Sequence, residues 1–371
     1  MNSFFQSYPI HFVLLFIASY LIRNQFIRSG YSPTASGSIV MAMSICVFGA
    51  FLHLPQSIAF IAPDIALELF IIAFFIGVSY VECYTHQYFH LHVQSILNRF
   101  TIGTWVAAIA LLELLLIKTF PGTEEITWPL VLLAVMLWAT YMNFALPDLE
   151  ALFKNHLTLH LNGYIFLTVI STQAVLLVLN TIMPRWIPWL LNLTLISFGC
   201  LLYIACMMLV IRNYTRLRLR NVIVEWSHTN CLIHGALSIT GLVCMTVSFP
   251  AIISFIIWSV TAILFIAIES LSVLRFLIRA QKKNRSAFRY DVSQWSRHFS
   301  YGAFYAFTCT LQNRPVWLNY LKLTDVINGI VMYGQYIVIS LLLIQIALFF
   351  RTKYKVMPAG KFSLVKDDTQ Y

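Results

Sequence analysis

The chain has 371 residues, of which 60% are hydrophobic and only 10% are charged, and its formal net charge is +10. A soluble domain carries about a quarter charged residues, so this composition excludes a soluble globular protein and predicts an all-α polytopic membrane protein. The positive charge is interpreted as a signal of topology and of contact with anionic membrane lipids, and no nucleic-acid partner is expected.

Ten apolar runs, each of roughly 18 to 25 residues, are long enough to cross a bilayer as helices. They cover about residues 36–54, 64–82, 99–117, 127–147, 160–181, 188–211, 228–248, 251–274, 295–313 and 326–350. A shorter apolar run over residues 9–23 precedes them and is interpreted as an extra span, an interfacial helix or an uncleaved signal anchor. The expected organisation is an N-terminal apolar segment (1–32), a ten-helix transmembrane domain (33–350) and a basic tail (351–371).

Basic residues are concentrated in the segments that would lie on one side of the membrane. These are the segment with Arg23 and Arg28 before the first span, the loops after the sixth and eighth spans, and the tail from Arg351. Because Lys and Arg are enriched in cytoplasmic loops, we expect the start of the first span and the C-terminus to be cytoplasmic. The protein is accordingly expected in a plasma membrane or a bacterial inner membrane.

Odd-numbered spans carry many small or weakly polar residues, whereas even-numbered spans are bulkier, as in "LVLLAVMLWATYM". Close packing of helices is enough to explain small residues on any single span. Five alternate spans with this property predict five hairpins, with slender helices inside and bulky helices towards lipid, around a narrow path with little charge. The candidate pore-lining residues are Ser38, Ala42, Gly103, Ala107, Thr168, Thr172, Ser227, Asn230, His234, Ser238, Ala303, Ala306 and Thr310.

The segment over residues 295–310, "WSRHFSYGAFYAFTCT", interleaves small residues with bulky rings. At helical spacing, Phe299, Ala303, Ala306 and Thr310 share one face, which is slender except for the single phenyl ring near its start. From the residues alone, this ring is either ordinary packing material or an obstruction on the wall of the path.

"FSYGAFYAFT" resembles the "F-P-x-G-x-Y-x-x-x-T" stretch of the tellurite-resistance/dicarboxylate transporter family, which includes plant guard-cell slow anion channels and fungal malate and sulfite permeases. Further segments resemble the family's first, fifth, sixth and seventh spans in the same order. They are "SGSIVMAMSI", "GYIFLTVISTQAVLLVL", "SFGCLLYIACMMLVIR" and "HGALSITGL". The resemblance covers residues 33 to about 350.

The resemblance implies five hairpins in a quasi-fivefold arrangement around a central pore, a homotrimer, and a gate phenylalanine that falls on Phe299. It implies transport of small anions such as chloride, nitrate or C4-dicarboxylates. Ser300 stands where the family carries a proline, and a missing proline kink affects the width of a pore.

The alternative is a proton-coupled carrier of organic anions, or one related to sulfite or tellurite transport. Acids within apolar runs are costly and often functional, so Glu68, Glu113 and Glu269 are candidate coupling acids.

A histidine-box membrane metalloenzyme is a further alternative. The candidate ligands would be His86, His90, His92, His156, His160, His228 and His234. Complete "HxxHH" boxes are absent from the sequence and acids are scarce nearby, so we expect no metal, no cofactor and no enzymatic activity.

Overall fold

The structure, a computed structural model, describes residues 2–26, 32–154, 161–215, 222–223, 225–281, 290–313 and 323–355, and the regular secondary structure of this part of the chain is all helical. Its long helices are α1 (Asn2–Phe26), α2 (Gly37–Gly49), α3 (Ala62–Thr85), α4 (Gly103–Thr119), α5 (Glu124–Lys154), α6 (Leu167–Ile182), α7 (Trp189–Thr215), α8 (Leu232–Thr246), α9 (Ala251–Gln281), α10 (Trp295–Gln312) and α11 (Thr324–Lys355).

Nine helical segments within the described ranges are long and apolar enough to cross a membrane, and they match nine of the ten predicted spans. The predicted span at 295–313 forms α10, but this helix is not among the nine. Its apolar character is reduced by polar side chains such as Arg297, His298 and Gln312. Because α10 packs against other helices on several sides, as described below, it does not need the apolar surface that lipid contact requires.

The leading apolar run lies within α1, which packs along α3. Ser19 Oγ donates a hydrogen bond to Glu68 Oε1 at 2.7 Å, and the Phe16 and Phe75 ring centroids are 5.5 Å apart. Helix α1 extends for about 37 Å, but its apolar part, Tyr8–Leu21, is shorter than the roughly 20 residues that a span requires. The three interpretations of this run therefore stay predictions.

The long helices after α1 form an inner and an outer set. Most residues are buried in the segments containing α2, α4, α6 and α8, with buried shares of 78%, 83%, 83% and 89%. The corresponding shares for α3, α5, α7, α9 and α11 are 28%, 28%, 33%, 22% and 17%. Helix α10 is buried along nearly all its length and belongs to the inner set. The predicted alternation of slender buried helices and bulky exposed helices is therefore observed.

The five inner helices contact one another in a closed order: α2 with α4, α4 with α6, α6 with α8, α8 with α10, and α10 with α2. Each inner helix also contacts the outer helix that follows it. Small residues allow these close approaches. A Cβ placed on Gly49 of α2 would lie 2.8 Å from the Ala306 Cβ of α10, and one on Gly37 would lie 2.8 Å from the Thr104 carbonyl oxygen of α4.

The inner helices meet at their amino-terminal ends. Each is preceded by a 3₁₀ turn or a short helix, at Thr34–Ser36, Ile96–Thr101, Gly163–Phe166, His228–Cys231 and Val292–Gln294. These five turns contact one another in the same circular order as the helices. Four of them are capped by a side-chain oxygen that accepts a backbone N–H, from Ser95, Asn162, Ser227 and Asp291.

Candidate functional site

Helix α10 contacts four other long helices, or the turn ahead of one, through different faces. The contacts pair Gly302 with Cys46 of α2, Ser300 with Cys231 just ahead of α8, Thr308 with Trp258 of α9, and Tyr305 with Val331 of α11. At 3.6 residues per turn, one direction is left between the contacts to α2 and to α8. Phe299, Ala303 and Thr310 point in that direction. Because α2 and α8 are the neighbours of α10 in the closed order, this face is directed towards the interior of the inner set.

The Phe299 ring is completely buried and leans towards α8. A Cβ placed on Gly235 of α8 would lie 3.1 Å from Phe299 Cε1 and 2.5 Å from Ser300 Oγ. A side chain at position 235 would therefore displace both residues, and the position of the Phe299 ring depends on the glycine.

Ser300 stands where the resemblance predicts a proline, and its hydroxyl makes a contact between helices. Its Oγ lies 3.0 Å from the carbonyl oxygen of Ser296 and 3.0 Å from that of Cys231. Its single hydrogen can be donated to either acceptor. Helix α10 runs without interruption through this position and is tied to the turn that begins α8.

The predicted pore-lining side chains are buried in this conformation, except for Ser227 and Thr310, which are partly exposed. The buried group is Ser38, Ala42, Gly103, Ala107, Thr168, Thr172, Asn230, His234, Ser238, Ala303 and Ala306. These side chains are therefore inaccessible to water in this conformation.

Several polar members of the predicted lining contact outer helices. Thr172 Oγ1 accepts a hydrogen bond from Trp138 Nε1 of α5 at 3.0 Å. Asn230 Nδ2 donates to Tyr214 of α7 at 2.8 Å. Thr168 lies 3.7 Å from the sulfur of Cys206 on α7, and His234 contacts α9. These contacts direct all four side chains towards the outer set.

A partly buried charged cluster lies where α8, α9 and α10 meet. Glu269 of α9 accepts a hydrogen bond at Oε2 from the Tyr301 hydroxyl at 2.7 Å, and the same oxygen lies 3.5 Å from Arg297 Nε. Its other oxygen lies 3.7 Å from Nε2 of His234, a ring that is fully buried against Phe265. The carboxylate therefore has positively charged or polar partners from both α8 and α10. His234 is adjacent in sequence to Gly235, so this cluster lies next to the Phe299 contact.

The other two candidate coupling acids lie elsewhere. Glu68 is bonded to Ser19 of α1, at the contact between α1 and α3. Glu113 is fully buried on α4, beside Thr127 of α5. The three acids thus belong to three different helix contacts, and the structure does not bring them together into one proton path.

The histidines do not form a metal centre within the described residues, where no group of three or more His, Cys, Asp or Glu side chains is placed to hold a metal ion. Nδ1 of His86 faces the Glu82 carbonyl oxygen at 2.8 Å, and Nδ1 of His92 lies 2.9 Å from Thr34 Oγ1. Burial lowers the pKa of the His92 imidazole. His156 and His160 lie outside the described residues.

A polar cavity of about 210 Å³ opens beside the amino-terminal ends of α6 and α8. Its walls are formed by Leu161, Asn162, Asn213, Tyr214, Glu225, Ser227 and Arg275. Two of these residues, Asn162 and Ser227, cap the turns that begin the two inner helices. The cavity is thus a recess at the end where the five inner helices begin.

Sequence reasoning did not identify Arg297, His298 and Tyr301 as site residues. The available signal was their position: three polar side chains at the start of a helix that is otherwise apolar and buried. Searches against protein families, curated proteins and solved structures find no match to this chain. The resemblance to the tellurite-resistance/dicarboxylate transporter family therefore stays a prediction.

Proposed function

We propose that the protein is an integral membrane protein that conducts small anions through the interior of its inner helix set, with Phe299 as the gate. The observation that carries this proposal is the face of α10. Four contacts account for its other sides, and the remaining direction, between α2 and α8, carries a fully buried phenyl ring followed by Ala303 and Thr310. A ring that fills an otherwise slender interior blocks passage by its bulk and by excluding water.

The proposed architecture is five hairpins in a quasi-fivefold arrangement around a central pore. The closed order of contacts among the inner helices, and the contact of each with the following outer helix, support it. The chain order of these contacts is the one expected if each hairpin contributes one inner and one outer helix. We extend the proposal to a homotrimer, on the resemblance alone.

The arrangement of helix ends favours anions. Each helix carries a partial positive charge at its amino-terminal end, and five such ends meet at one end of the inner set. Among the described residues, Arg99 lies in the short helix ahead of α4, Arg275 lines the cavity beside α6 and α8, and Arg297 lies in the first turn of α10, so the local potential concentrates anions. By the distribution of basic residues, we assign this end and the C-terminus to the cytoplasm of a plasma membrane or bacterial inner membrane.

The permeant ions we propose are chloride, nitrate or small dicarboxylates. In this proposal the protein uses no cofactor and catalyses no reaction. The inner face of α10 has an alanine and a hydroxyl beyond the phenyl ring, and no fixed acidic group that would repel an anion. Conduction requires Phe299 to move from Gly235, because the predicted lining is closed to water in this conformation.

A proton-coupled anion carrier is the second candidate. The observation that favours it is the contact of Glu269 with His234 and Arg297, since buried ionisable groups within helix bundles often carry protons in transport. Coupling predicts that an anion gradient drives proton movement with a fixed ratio, whereas a channel moves anions without it.

The test is anion flux into proteoliposomes that contain either the unmodified protein or Phe299→Ala. We expect the variant to raise nitrate or chloride flux at least about tenfold, because removal of the ring opens the interior. Phe304→Ala is the matched control: its ring stacks on Phe265 and Trp258 of α9, outside the inner set, and its loss leaves flux low. A folded Phe299→Ala protein with the flux of the unmodified protein contradicts the gate.

A further inference from the structure

His298 directly precedes Phe299 on α10 and is buried. Nδ1 of its ring lies 3.2 Å from the carbonyl oxygen of Gln294, one turn earlier in the chain. Nε2 lies 3.0 Å from the carbonyl oxygen of Leu341 on α11. Both ring nitrogens therefore face groups that accept hydrogen bonds and cannot donate them.

This arrangement makes the number of hydrogen bonds depend on a proton. A neutral imidazole carries one N–H group and one bare nitrogen, whereas the protonated ring carries two N–H groups. Only the protonated ring can donate to both carbonyl oxygens. In the neutral ring, one of the two bonds is lost and a nitrogen lone pair faces a carbonyl oxygen.

The bond from Nε2 to the Leu341 carbonyl oxygen joins α10 to its outer neighbour α11. It therefore helps to fix the position of α10. On the other side, the backbone carbonyl oxygen of His298 accepts a hydrogen bond from Cys46 Sγ of α2 at 3.2 Å. The residue before Phe299 is thereby held by one contact inside the inner set and one outside it. A change in the outer contact changes the constraint on the adjacent phenyl ring.

The ionisable side chains around His298 come from α10 and the helices around it. They are Arg297 and Tyr301 of α10, Glu269 of α9, Cys46 of α2 and His234 of α8, which touches Glu269. Arg297 carries a positive charge and Glu269 a negative charge, and the two side chains contact each other. On α11 the Leu341 carbonyl, which does not titrate, meets the ring.

We propose that His298 is a positioning residue for Phe299: protonation of its ring adds the second hydrogen bond and holds α10 where Phe299 lies against Gly235. The consequence for transport rests on the proposed function, whereas the hydrogen-bond geometry does not. Acid then stabilises the closed conformation, and removal of the proton releases α10 from one of its two constraints. Anion flux rises as the pH rises.

The first test is nitrate flux into proteoliposomes between about pH 5 and pH 8, the range in which histidine titrates. We expect the unmodified protein to gain about fivefold in flux across this range, the ratio that one net hydrogen bond supports. His298→Gln retains an amide N–H for Leu341 but cannot titrate, so its flux stays constant with pH. His234→Gln retains the pH dependence. A wild-type pH profile in His298→Gln, or its loss in His234→Gln alone, overturns the proposal.

The second test separates this proposal from the proposed function. Absence of anion flux in every variant, Phe299→Ala included, rejects the anion pore and leaves the decision to nuclear magnetic resonance of protein labelled with ¹⁵N-histidine. The resonances that disappear in His298→Gln identify this ring. A second N–H gained on acidification supports the proposal, and a ring that keeps one N–H across the range overturns it.

Discussion

Two contacts between an outer and an inner helix are built in the same way, one between α5 and α6 and the other between α9 and α10. Trp138 Nε1 donates to Thr172 Oγ1 at 3.0 Å, and Trp258 Nε1 donates to Thr308 Oγ1 at 3.0 Å. Each threonine also donates its hydroxyl hydrogen to the carbonyl oxygen four residues earlier, at 2.8 Å. The indole therefore caps a hydroxyl that is already bonded within its own helix.

The two contacts differ in charge. Below the Trp258–Thr308 pair, the α9–α10 contact also contains Glu269, Arg297 and Tyr301, whereas hydrogen-bonding groups at the described α5–α6 contact are neutral. Buried ion pairs rarely increase stability over apolar packing, because desolvation offsets their attraction. The tryptophan–threonine pair is common to both contacts and is sufficient for packing at α6. The charged side chains occur only at the contact of α10, the helix that carries Phe299.

Substitution of Glu269 by leucine is the strongest way to break this comparison. We expect a loss of about 2–3 kcal/mol in the free energy of unfolding, because Tyr301 and Arg297 both lose their partly buried carboxylate partner. Denaturant unfolding in detergent micelles measures it. Glu68→Leu is the control, since Glu68 is half-buried at the periphery and bonds Ser19, and its loss costs about 1 kcal/mol. Equal losses of unfolding free energy in the two variants would show that the charged contact contributes no more to stability than the Glu68–Ser19 hydrogen bond does.

Substitution of Gly163 by alanine probes a contact without charged groups, where the backbones of the turns ahead of α6 and α8 approach closely. The new Cβ would lie 1.9 Å from the carbonyl oxygen of Thr229, so the turns ahead of α6 and α8 must separate. We expect a loss of about 1–3 kcal/mol in unfolding free energy. Gly77→Ala on α3 meets nothing within 4 Å and changes stability by less than about 1 kcal/mol. A neutral Gly163→Ala would mean that the two turns are not tightly packed.

The matched pair Trp138→Phe and Trp258→Phe gives the smallest effect and the sharpest comparison. Each variant removes one indole N–H and keeps an aromatic ring, so each loses about 1 kcal/mol in unfolding free energy. We expect Trp258→Phe alone to change anion flux as well, because Thr308 is on the helix that carries Phe299. Flux through reconstituted protein, normalised to the amount inserted, measures this difference. Equal changes in flux would place the gate elsewhere.

Hydrophobicity and periodicity predicted the all-helical class, the alternation of buried and exposed helices, and ten spans, of which nine match long apolar helices in the described residues. These properties depend on composition averaged over some twenty residues, which survives errors at single positions. The predicted face of Phe299, Ala303, Ala306 and Thr310 needs only the spacing along one helix, and of these four Ala306 packs against Gly49 of α2. The same method assigned Thr172 and His234 to the lining, whereas both contact outer helices. Small and polar residues occupy more than one face of these helices, and spacing alone cannot rank the faces.

The charged cluster was not predictable, since it joins positions 234, 269, 297 and 301 from three helices. In the sequence, Arg297 is one of several basic residues that follow the eighth span, and Glu269 is an isolated acid near the end of that span. Their pairing depends on how α9 lies against α10, which no pattern within either segment records. The double contact of His298 was hidden for the same reason, because Leu341 lies 43 positions away.

The contacts between α2 and α10 have a consequence for biosynthesis. Cys46 donates to the carbonyl oxygen of His298, 252 positions later, and Ser38 donates to that of Val292, 254 positions later. During synthesis, Cys46 and Ser38 of α2 therefore lack these hydrogen-bond partners until residues 292–298 have been made. Helix α10 is too polar to partition into lipid by itself, so its insertion depends on partners already present in the bilayer. A chain truncated before residue 295 would leave a gap between α2 and α8 and would remove the partner of Cys46 on α10.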